Sequence, residues 1–404
     1  MSKKSLEELQ LKGKRVLIRA DFNVPLNEKG EITDDSRIVK TLPTIRYALK
    51  KQAKVILMSH LGRPDGQRNP RYSLAPVAKR LSELLNQPVD FASDCLGSEP
   101  ERKAASLKEG GVLLLENVRF HPEEEKNDPN FAQALARLAD LYVNDAFGAA
   151  HRAHASTEAV AHLLPSAAGL LLSREIEYFE KVVGAPERPF VTILGGAKVS
   201  DKIKIVGNLL EKTDALLIGG AMAYPFCQVK GWSIGGSKFE VAGADLARKI
   251  LADAERKGVE VVLPVDHVTA QKLERGAPVR TVEPNIPAGW MGLDVGPKTV
   301  SEFKKVLAKA KTILWNGPLG VCEVPPFDRG SREIAEFISA LKATTIIGGG
   351  DTAAAVKDFG LEGKMSHVST GGGASLEYLE GKMLPGVAAL PEKNAKATEK
   401  AGKL

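Results

Sequence analysis

The chain has 404 residues, too many for one ordinary domain and enough for two of about 200. Hydrophobic residues at 43% and charged residues at 26% lie in the globular range, which excludes wholesale disorder. The formal charge of +6 admits nucleic acid, a membrane surface or small anions as partners, but aromatics at 5% are not interleaved with the dispersed basic residues, which disfavours nucleic acid.

No apolar run reaches the ~18 residues of a spanning helix, so no membrane partner is expected. The opening residues Met1-Ser2-Lys3-Lys4 lead into no apolar segment, and a cytoplasmic protein is expected. Cys95, Cys227 and Cys322 lie far apart without a CxxC pair, which argues against a disulfide framework or a zinc site.

Short apolar runs recur along the chain, each followed by a polar or glycine-rich loop and then a helix-length segment. In the first half they are Val16–Ala20, Val55–Met58, a weaker Val89–Ala92, Val112–Leu115 and Leu141–Val143. Ile38, Leu42, Ile45 and Leu49 have helical spacing between the first two. Leu172, Ile176, Phe179 and Val183 form a further stripe, stopped by Gly184-Ala185-Pro186. Spacing alone makes the segment 170–183 either a helix joining two domains or an ordinary surface helix. The second half continues with Val191–Leu194, Ala215–Ile218, Glu260–Leu263, Thr312–Trp315, Thr344–Ile347 and His367–Ser369, with helical spacing at Ile203, Val206, Leu209 and Leu210. This alternation predicts an α/β fold with two Rossmann-like domains, each a parallel sheet flanked by helices.

Ligands of such sheets bind at the carboxyl ends of the strands. After the first-half runs stand Asp21 and Asn23, His60 and Arg63, Arg119, and Arg152, with Arg37 at the start of a helix. Clustered guanidinium groups suit a multiply charged oxyanion, although any single arginine reads equally as a solvated charge, and Asp21 and Asn23 as turn residues. His151 and His154 lack the partner that HExxH metal chemistry needs. The second-half runs end instead in Gly195-Gly196-Ala197-Lys198, with Lys202 four residues on, and in Gly219-Gly220, Asn316-Gly317-Pro318, Gly348-Gly349-Gly350-Asp351-Thr352 and Thr370-Gly371-Gly372-Gly373. Glycine turns backed by helix N-termini suit phosphate, lysines add charge, and an isolated aspartate suits Mg²⁺.

A P-loop is absent. Gly348-Gly349-Gly350-Asp351-Thr352-Ala353 fits a dinucleotide fingerprint and keeps a dehydrogenase open, but Ser369-Thr370 stands where its acidic residue belongs. One domain for a small acid and one for a nucleotide point to phosphoryl transfer, which needs mainly positive charge, positioning and closure.

At these motifs the chain resembles the phosphoglycerate kinases. The resemblance runs over nearly the whole chain, from Arg19–Pro25 through Ser59-His60-Leu61-Gly62-Arg63-Pro64, Leu115-Glu116-Asn117-Val118-Arg119-Phe120, Gly195–Lys202, Trp315–Pro318, Gly348–Thr352 and Ser369–Ser375 to Glu377–Gly386. It implies a monomeric, hinge-bending glycolytic kinase, moving a phosphoryl group between 1,3-bisphosphoglycerate and ADP. Residues 1–172 would bind 3-phosphoglycerate through Asp21, Asn23, Arg37, His60, Arg63, Arg119 and Arg152. Residues 173–387 would bind ADP or ATP with Mg²⁺, and the tail 388–404 would pack back on the first domain. The implied nucleotide set is Gly196, Lys198, Lys202, Gly220, Gly292, Asn316, Pro318, Glu323 on the ribose, Gly349, Gly350, Asp351 on the metal, and Thr352. Arg37, Lys198 and Lys202, with the amides of Gly371, Gly372 and Gly373, would neutralise the moving phosphoryl group. Cys322 departs from the family, which often has an aromatic there.

Overall fold

A computed structural model describes residues 3–393, so most of the tail expected to return to the first domain lies outside the described residues. The chain divides into two compact units, one made of residues 1–177 with 383–404 and one of residues 178–382.

In the first unit, β1 (Arg15–Arg19), β2 (Lys54–Met58), β3 (Asp90–Phe91), β4 (Val112–Leu114), β5 (Leu141–Asn144) and β6 (Ser166–Ala168) form one sheet in the order β3-β4-β2-β1-β5-β6. Every pairing in it is parallel. The central strands are buried on both faces, which is why they read as unbroken apolar runs. Helix Ser36–Lys50 lays Ile38, Leu42 and Ile45 on the sheet. The short strand β6 had no apolar signal, being Ser-Ala-Ala. The two chain ends meet beside it: the Ala168 amide donates to the Lys4 carbonyl (2.8 Å), and the Lys4 amide to the Pro391 carbonyl (2.9 Å). Asn144 Nδ2 donates to the Gly386 carbonyl (3.0 Å), so the returning segment also touches the end of β5.

The second unit has β7 (Phe190–Leu194), β8 (Ala215–Ile218), β9 (Glu260–Val262), β10 (His267–Ala270), β11 (Arg280–Val282), β12 (Met291–Val295), β13 (Thr312–Asn316), β14 (Thr344–Gly348) and β15 (His367–Val368). Six of these build a parallel sheet, β15-β14-β13-β7-β8-β9. The other three build an antiparallel sheet, β11-β10-β12, which the reading of the sequence did not contain. Its strands are short, interrupted by polar residues and broken by a register shift at Val268/Thr269, so they lack the continuous apolar pattern of a buried parallel strand. Asp294 on β12 accepts from the Gly330 amide (2.7 Å), which ties this sheet to helix Arg329–Ser339.

Helix Leu170–Val183 contains the boundary between the units, as expected of a joining helix. Its start is held by Asp145, the residue after β5, whose Oδ1 accepts from the amides of Leu171 (2.9 Å) and Leu172 (3.2 Å). Burial raises the Asp145 pKa to about 7 against these bonds. Replacing Asp145 by Ala strands two buried amides, and urea denaturation is expected to show a loss of about 1–3 kcal/mol. Because the folded-state pKa is raised, the carboxyl's favourable contribution is complete below about pH 4 and fades as pH rises through 7, so the loss is larger at pH 5 than at pH 8.

Candidate active site

Parallel pairing brings the loops after β1, β2 and β4 to one edge of the first sheet, where hydrogen bonds lace them together. The Gly62 amide donates to Asn23 Oδ1 (2.8 Å), the Phe22 amide to Ser59 Oγ (2.8 Å), and Arg119 Nη1 to the Gly62 carbonyl (2.9 Å). Asn117 accepts from the Leu61 amide (3.3 Å) and donates to the Leu61 carbonyl (2.7 Å). Arg37 reaches in from its helix and donates to Asp21 Oδ2. Burial alone would raise the Asp21 pKa, but Arg37 and Arg19 overcome it and hold the carboxylate below its ordinary range.

Beneath this edge lies a buried charge network. Arg19, with 0% exposure, donates from Nε to Ser156 Oγ (2.7 Å), and its Nη2 lies 4.0 Å from Glu124 Oε1. Glu124, also at 0%, accepts from the Ser156 amide (2.9 Å) and hydroxyl (2.6 Å). Arg19 Nη2 lies 3.2 Å from His60 Nδ1. Guanidinium only donates, so Nδ1 is the acceptor. Burial, with Arg19, Arg119 and Arg37, pushes the His60 pKa well below its ordinary value despite Asp21. His60 is therefore neutral near pH 7 and carries its proton on Nε2, as a donor. Burial and the charges of Arg19 and Arg152 likewise press the Arg119 pKa down, although Glu125 pairs with its Nε at 3.0 Å. The edge holds more cation than it compensates, which is the condition for binding a polyanion.

The second unit assembles its loops differently. After β7, β8 and β13 the glycine loops interlock, with the Gly195 amide donating to the Asn316 carbonyl (3.0 Å), the Gly196 amide to the Pro318 carbonyl (2.9 Å) and the Gly220 amide to the Leu319 carbonyl (3.0 Å). A Cβ at Gly195 would stand 2.1 Å from the Pro318 carbonyl oxygen, and one at Gly317 would stand 2.2 Å from the Gly195 carbonyl oxygen. These glycines are required by the packing of loop on loop. A Cβ at Gly350 or Gly372 would meet nothing within 4 Å, so here the backbone faces open space. Both residues begin helices, Gly350–Asp358 and Gly372–Leu379, whose N-caps Gly349 and Gly371 supply no side-chain cap, leaving amide donors for an anion.

Lys202 donates from Nζ to the Asn316 carbonyl (3.3 Å) and to Asn316 Oδ1. That bond sets the amide's orientation and leaves Asn316 Nδ2, beside Gly348 and Gly349, a buried donor without a partner among the described residues. The Thr352 hydroxyl accepts from the Gly317 amide (2.6 Å), locking the loop after β14 to the one after β13. Beside them opens a cavity of about 360 Å³, lined among others by Gly196, Gly220, Gly292, Pro318, Glu323 and Asp351. Its size fits a small-molecule ligand.

The phosphoglycerate kinase family model matches residues 6–382. The chain belongs to the phosphoglycerate kinase family. It is 56% identical over 403 residues to the phosphoglycerate kinase of Koribacter versatilis, spanning 97% of this chain and 100% of that one. The Acidobacterium capsulatum phosphoglycerate kinase is 55% identical over 404 residues, with the same coverage. Among solved structures, the phosphoglycerate kinase of Coxiella burnetii superposes with a TM-score of 0.88 at 42% identity, covering 96% of this chain and 98% of that one. The Pyrococcus horikoshii phosphoglycerate kinase gives 0.82 at 32% identity, with the same coverage.

Within this family chain, Asp21, Asn23, Arg37, His60 and Arg119 are joined by the contacts above. Arg152 adds its charge and donates to His151 Nε2 (3.3 Å), while Arg63 is exposed. Lys198 is also exposed, and its charge helps hold Glu240 below its ordinary range, after the stronger effect of Ser200. Burial pushes the Cys322 thiol up to about 12, which disfavours its thiolate near pH 7. Tyr224, Lys238, Met291 and Leu293 line the cavity without having been singled out in the sequence. Glu124 and Ser156 were missed too, and the signal for them was Arg19, a charge inside an apolar strand that must find a buried partner.

Glu124→Ala leaves the Arg19 guanidinium unpaired, and a loss of about 3–5 kcal/mol is expected in urea denaturation. Replacing both, Arg19→Met with Glu124→Leu, is expected to recover most of that stability while the His60 orientation stays lost. A single variant as stable as the parent would show that the pair carries no charge to compensate.

Proposed function

We infer that this chain reversibly transfers a phosphoryl group from 1,3-bisphosphoglycerate to ADP, giving 3-phosphoglycerate and ATP. The observation that carries the reading is the unpartnered Nδ2 of Asn316 beside Lys202 and the uncapped helix starts, a donor set without its oxyanion, in a chain of this family. In the direction of ATP use, the acceptor is a carboxylate and already carries the attacking electron pair. No general base is needed, and the residues have to position, neutralise and exclude water.

In this reading His60 Nε2 donates to 3-phosphoglycerate, and Asp21 and Asn23 orient its polar groups. Arg63, Arg119 and Arg152 hold its phosphate. Arg37, released in part from Asp21, takes the charge of the moving phosphoryl group together with Lys198, Lys202 and the amides of Gly371, Gly372 and Gly373. Glu323 accepts from the ribose hydroxyls at the cavity rim, while Gly196, Gly220, Gly292 and Pro318 shape the wall and Gly349, Gly350 and Thr352 the phosphate loop. Asp351, exposed on the same rim, is a hard oxygen donor with room for water and phosphate oxygens, so the residues fit Mg²⁺. When bound with the nucleotide, Mg²⁺ supplies charge neutralisation between phosphate oxygens. Substrates held by separate domains must meet in line with water excluded, so turnover includes hinge closure. The 3-phosphoglycerate domain, expected over residues 1–172 with the tail 388–404, is assigned to the compact unit 1–177 with 383–404, and the nucleotide domain, expected over 173–387, to the unit 178–382. The chain acts as a cytoplasmic monomer on small molecules, not on nucleic acid or membranes.

Incubation with MgATP, 3-phosphoglycerate and hydroxylamine tests the reaction. Hydroxamate and ADP are expected in equal amounts, each dependent on 3-phosphoglycerate, and folded protein yielding neither would end the reading. Arg37→Ala is expected to lower kcat by about 10²–10³-fold with ADP affinity nearly unchanged; an unchanged kcat would remove Arg37 from the transfer step.

Burial lowers the Lys202 pKa to about 8, against Asp351 and Asp201. Free enzyme therefore loses the Lys202 charge as pH rises through 8, whereas a bound phosphate holds the proton on. Nucleotide affinity is expected to fall between pH 7 and 9, with proton uptake on binding read by calorimetry in buffers of different ionisation enthalpy. Lys202→Arg, which keeps its charge, should flatten the dependence.

A further inference from the structure

Outside the site already described, one cluster gathers three different metal-ligating groups. Strands β3 and β4 pair in parallel, Asp90 with Leu113 and Phe91 with Leu114, so the chain leaves both at the same edge. Asp94 and Cys95 follow β3, and His121 closes the turn Val118–Phe120 after β4. His121 Nε2 lies 2.7 Å from Asp94 Oδ1, and one ligand atom from each of Asp94, Cys95 and His121 falls within 4.8 Å of the other two.

We propose that Asp94, Cys95 and His121 form a binding site for a thiophilic divalent cation of the Zn²⁺ class. Tetrahedral coordination at the usual Zn–O, Zn–N and Zn–S lengths separates ligand atoms by about 3.3–3.8 Å, so His121 Nε2 and Asp94 Oδ1 must part from 2.7 Å as the ion enters, within a cluster no wider than 4.8 Å. The donor set is one thiolate, one imidazole and one carboxylate, which selects Zn²⁺ over the hard Mg²⁺. Cys95 is fully buried, while the Asp94 and His121 side chains are 36% and 27% exposed. These two form the mouth through which an ion enters and at which water completes its shell. Arg68 Nη1 stands 3.8 Å from Asp94 Oδ2, while Oδ1 accepts from the Cys95 (2.6 Å) and Leu96 (3.4 Å) amides, which hold that oxygen facing His121.

Binding displaces protons and changes no oxidation state. The Cys95 thiol proton goes to solvent, and the imidazolium form of His121 likewise gives its Nε2 proton to solvent while keeping Nδ1–H, so one ion displaces two protons. Carboxylate, thiolate and divalent ion then sum to zero charge, which suits a half-buried site. The ion would also join the loop after β3 to the turn that carries Arg119.

Titration of the metal-free full chain with Co²⁺ tests this. A thiolate-to-cobalt charge-transfer band with intense tetrahedral ligand-field bands is expected, saturating at one ion per chain and displaced by Zn²⁺. Cys95→Ser should abolish the charge-transfer band, while Cys227→Ser and Cys322→Ser should keep it. Cys95 is buried, so His121→Gln and Asp94→Asn, at partly exposed positions, give a second test that does not rely on its replacement. Each should weaken Co²⁺ binding by about 10-fold or more, while both variants, compared in chelator, stay folded by thermal unfolding despite losing the His121–Asp94 bond. No charge-transfer band in the parent chain overturns the site. So does a band that Cys227→Ser or Cys322→Ser removes, or one indifferent to His121 and Asp94.

Discussion

Parallel strand pairing is the constraint on which both units depend. In a sheet whose strands all run one way, every loop that follows a strand leaves from the same edge. The first unit uses that edge to collect Asp21, His60 and Arg119 from three different strands, and the second collects four glycine-bearing turns from the adjacent strands β14, β13, β7 and β8. The same geometry brings Asp94 and Cys95 beside His121. Neighbouring strands, not neighbouring residues, decide which side chains can act together.

Concentrating like charge at one edge has a cost that the rest of the first unit offsets. Arg19, Arg119 and Arg152 repel one another in a partly dry region, visible in the depressed pKa of Arg119. Glu124 supplies the buried counter-charge for Arg19, and Ser156 satisfies both. The ion pair does more than stabilise: by donating to His60 Nδ1, Arg19 selects the imidazole tautomer and so decides which nitrogen offers a proton at the edge. A structural charge thus sets up a neutral hydrogen-bond donor.

How much of this was legible in the sequence follows from burial. Strands covered on both faces show as continuous apolar runs, so the elements of both parallel sheets could be read nearly to the residue, apart from β6. That strand is Ser-Ala-Ala, and the antiparallel strands bury His267, Thr269 and Asp294 among their apolar residues, so no continuous apolar run marks them. The cavity wall they contribute, Met291 and Leu293 beside Tyr224, was hidden with them. Glycine carried two messages that spacing cannot separate. Gly195 and Gly317 are small because another loop touches them, whereas Gly350 and Gly372 face open space. Asp94, Cys95 and His121 match no spacing motif, because parallel strands and not a local turn join them. The absence of a CxxC pair therefore spoke only to motif-type zinc sites.

The two cationic centres differ in kind, and the difference bears on their chemistry. Arg37 and Arg119 in the first unit are fixed by hydrogen bonds to a carboxylate and a backbone carbonyl, and their planar forks suit a phosphate that must be held still. Lys202 in the second unit is a point charge on a flexible stem, partly desolvated, and tied among the described residues to the Asn316 amide and carbonyl. A group so placed gains most when a new negative charge arrives, because desolvation has already been met by the fold. Transfer of a phosphoryl group moves negative charge from one oxygen to another without any side chain having to take a proton. In the proposed reaction the rigid cluster would hold the anchored phosphate and the lysine would meet the moving one, dividing that electrostatic work between them.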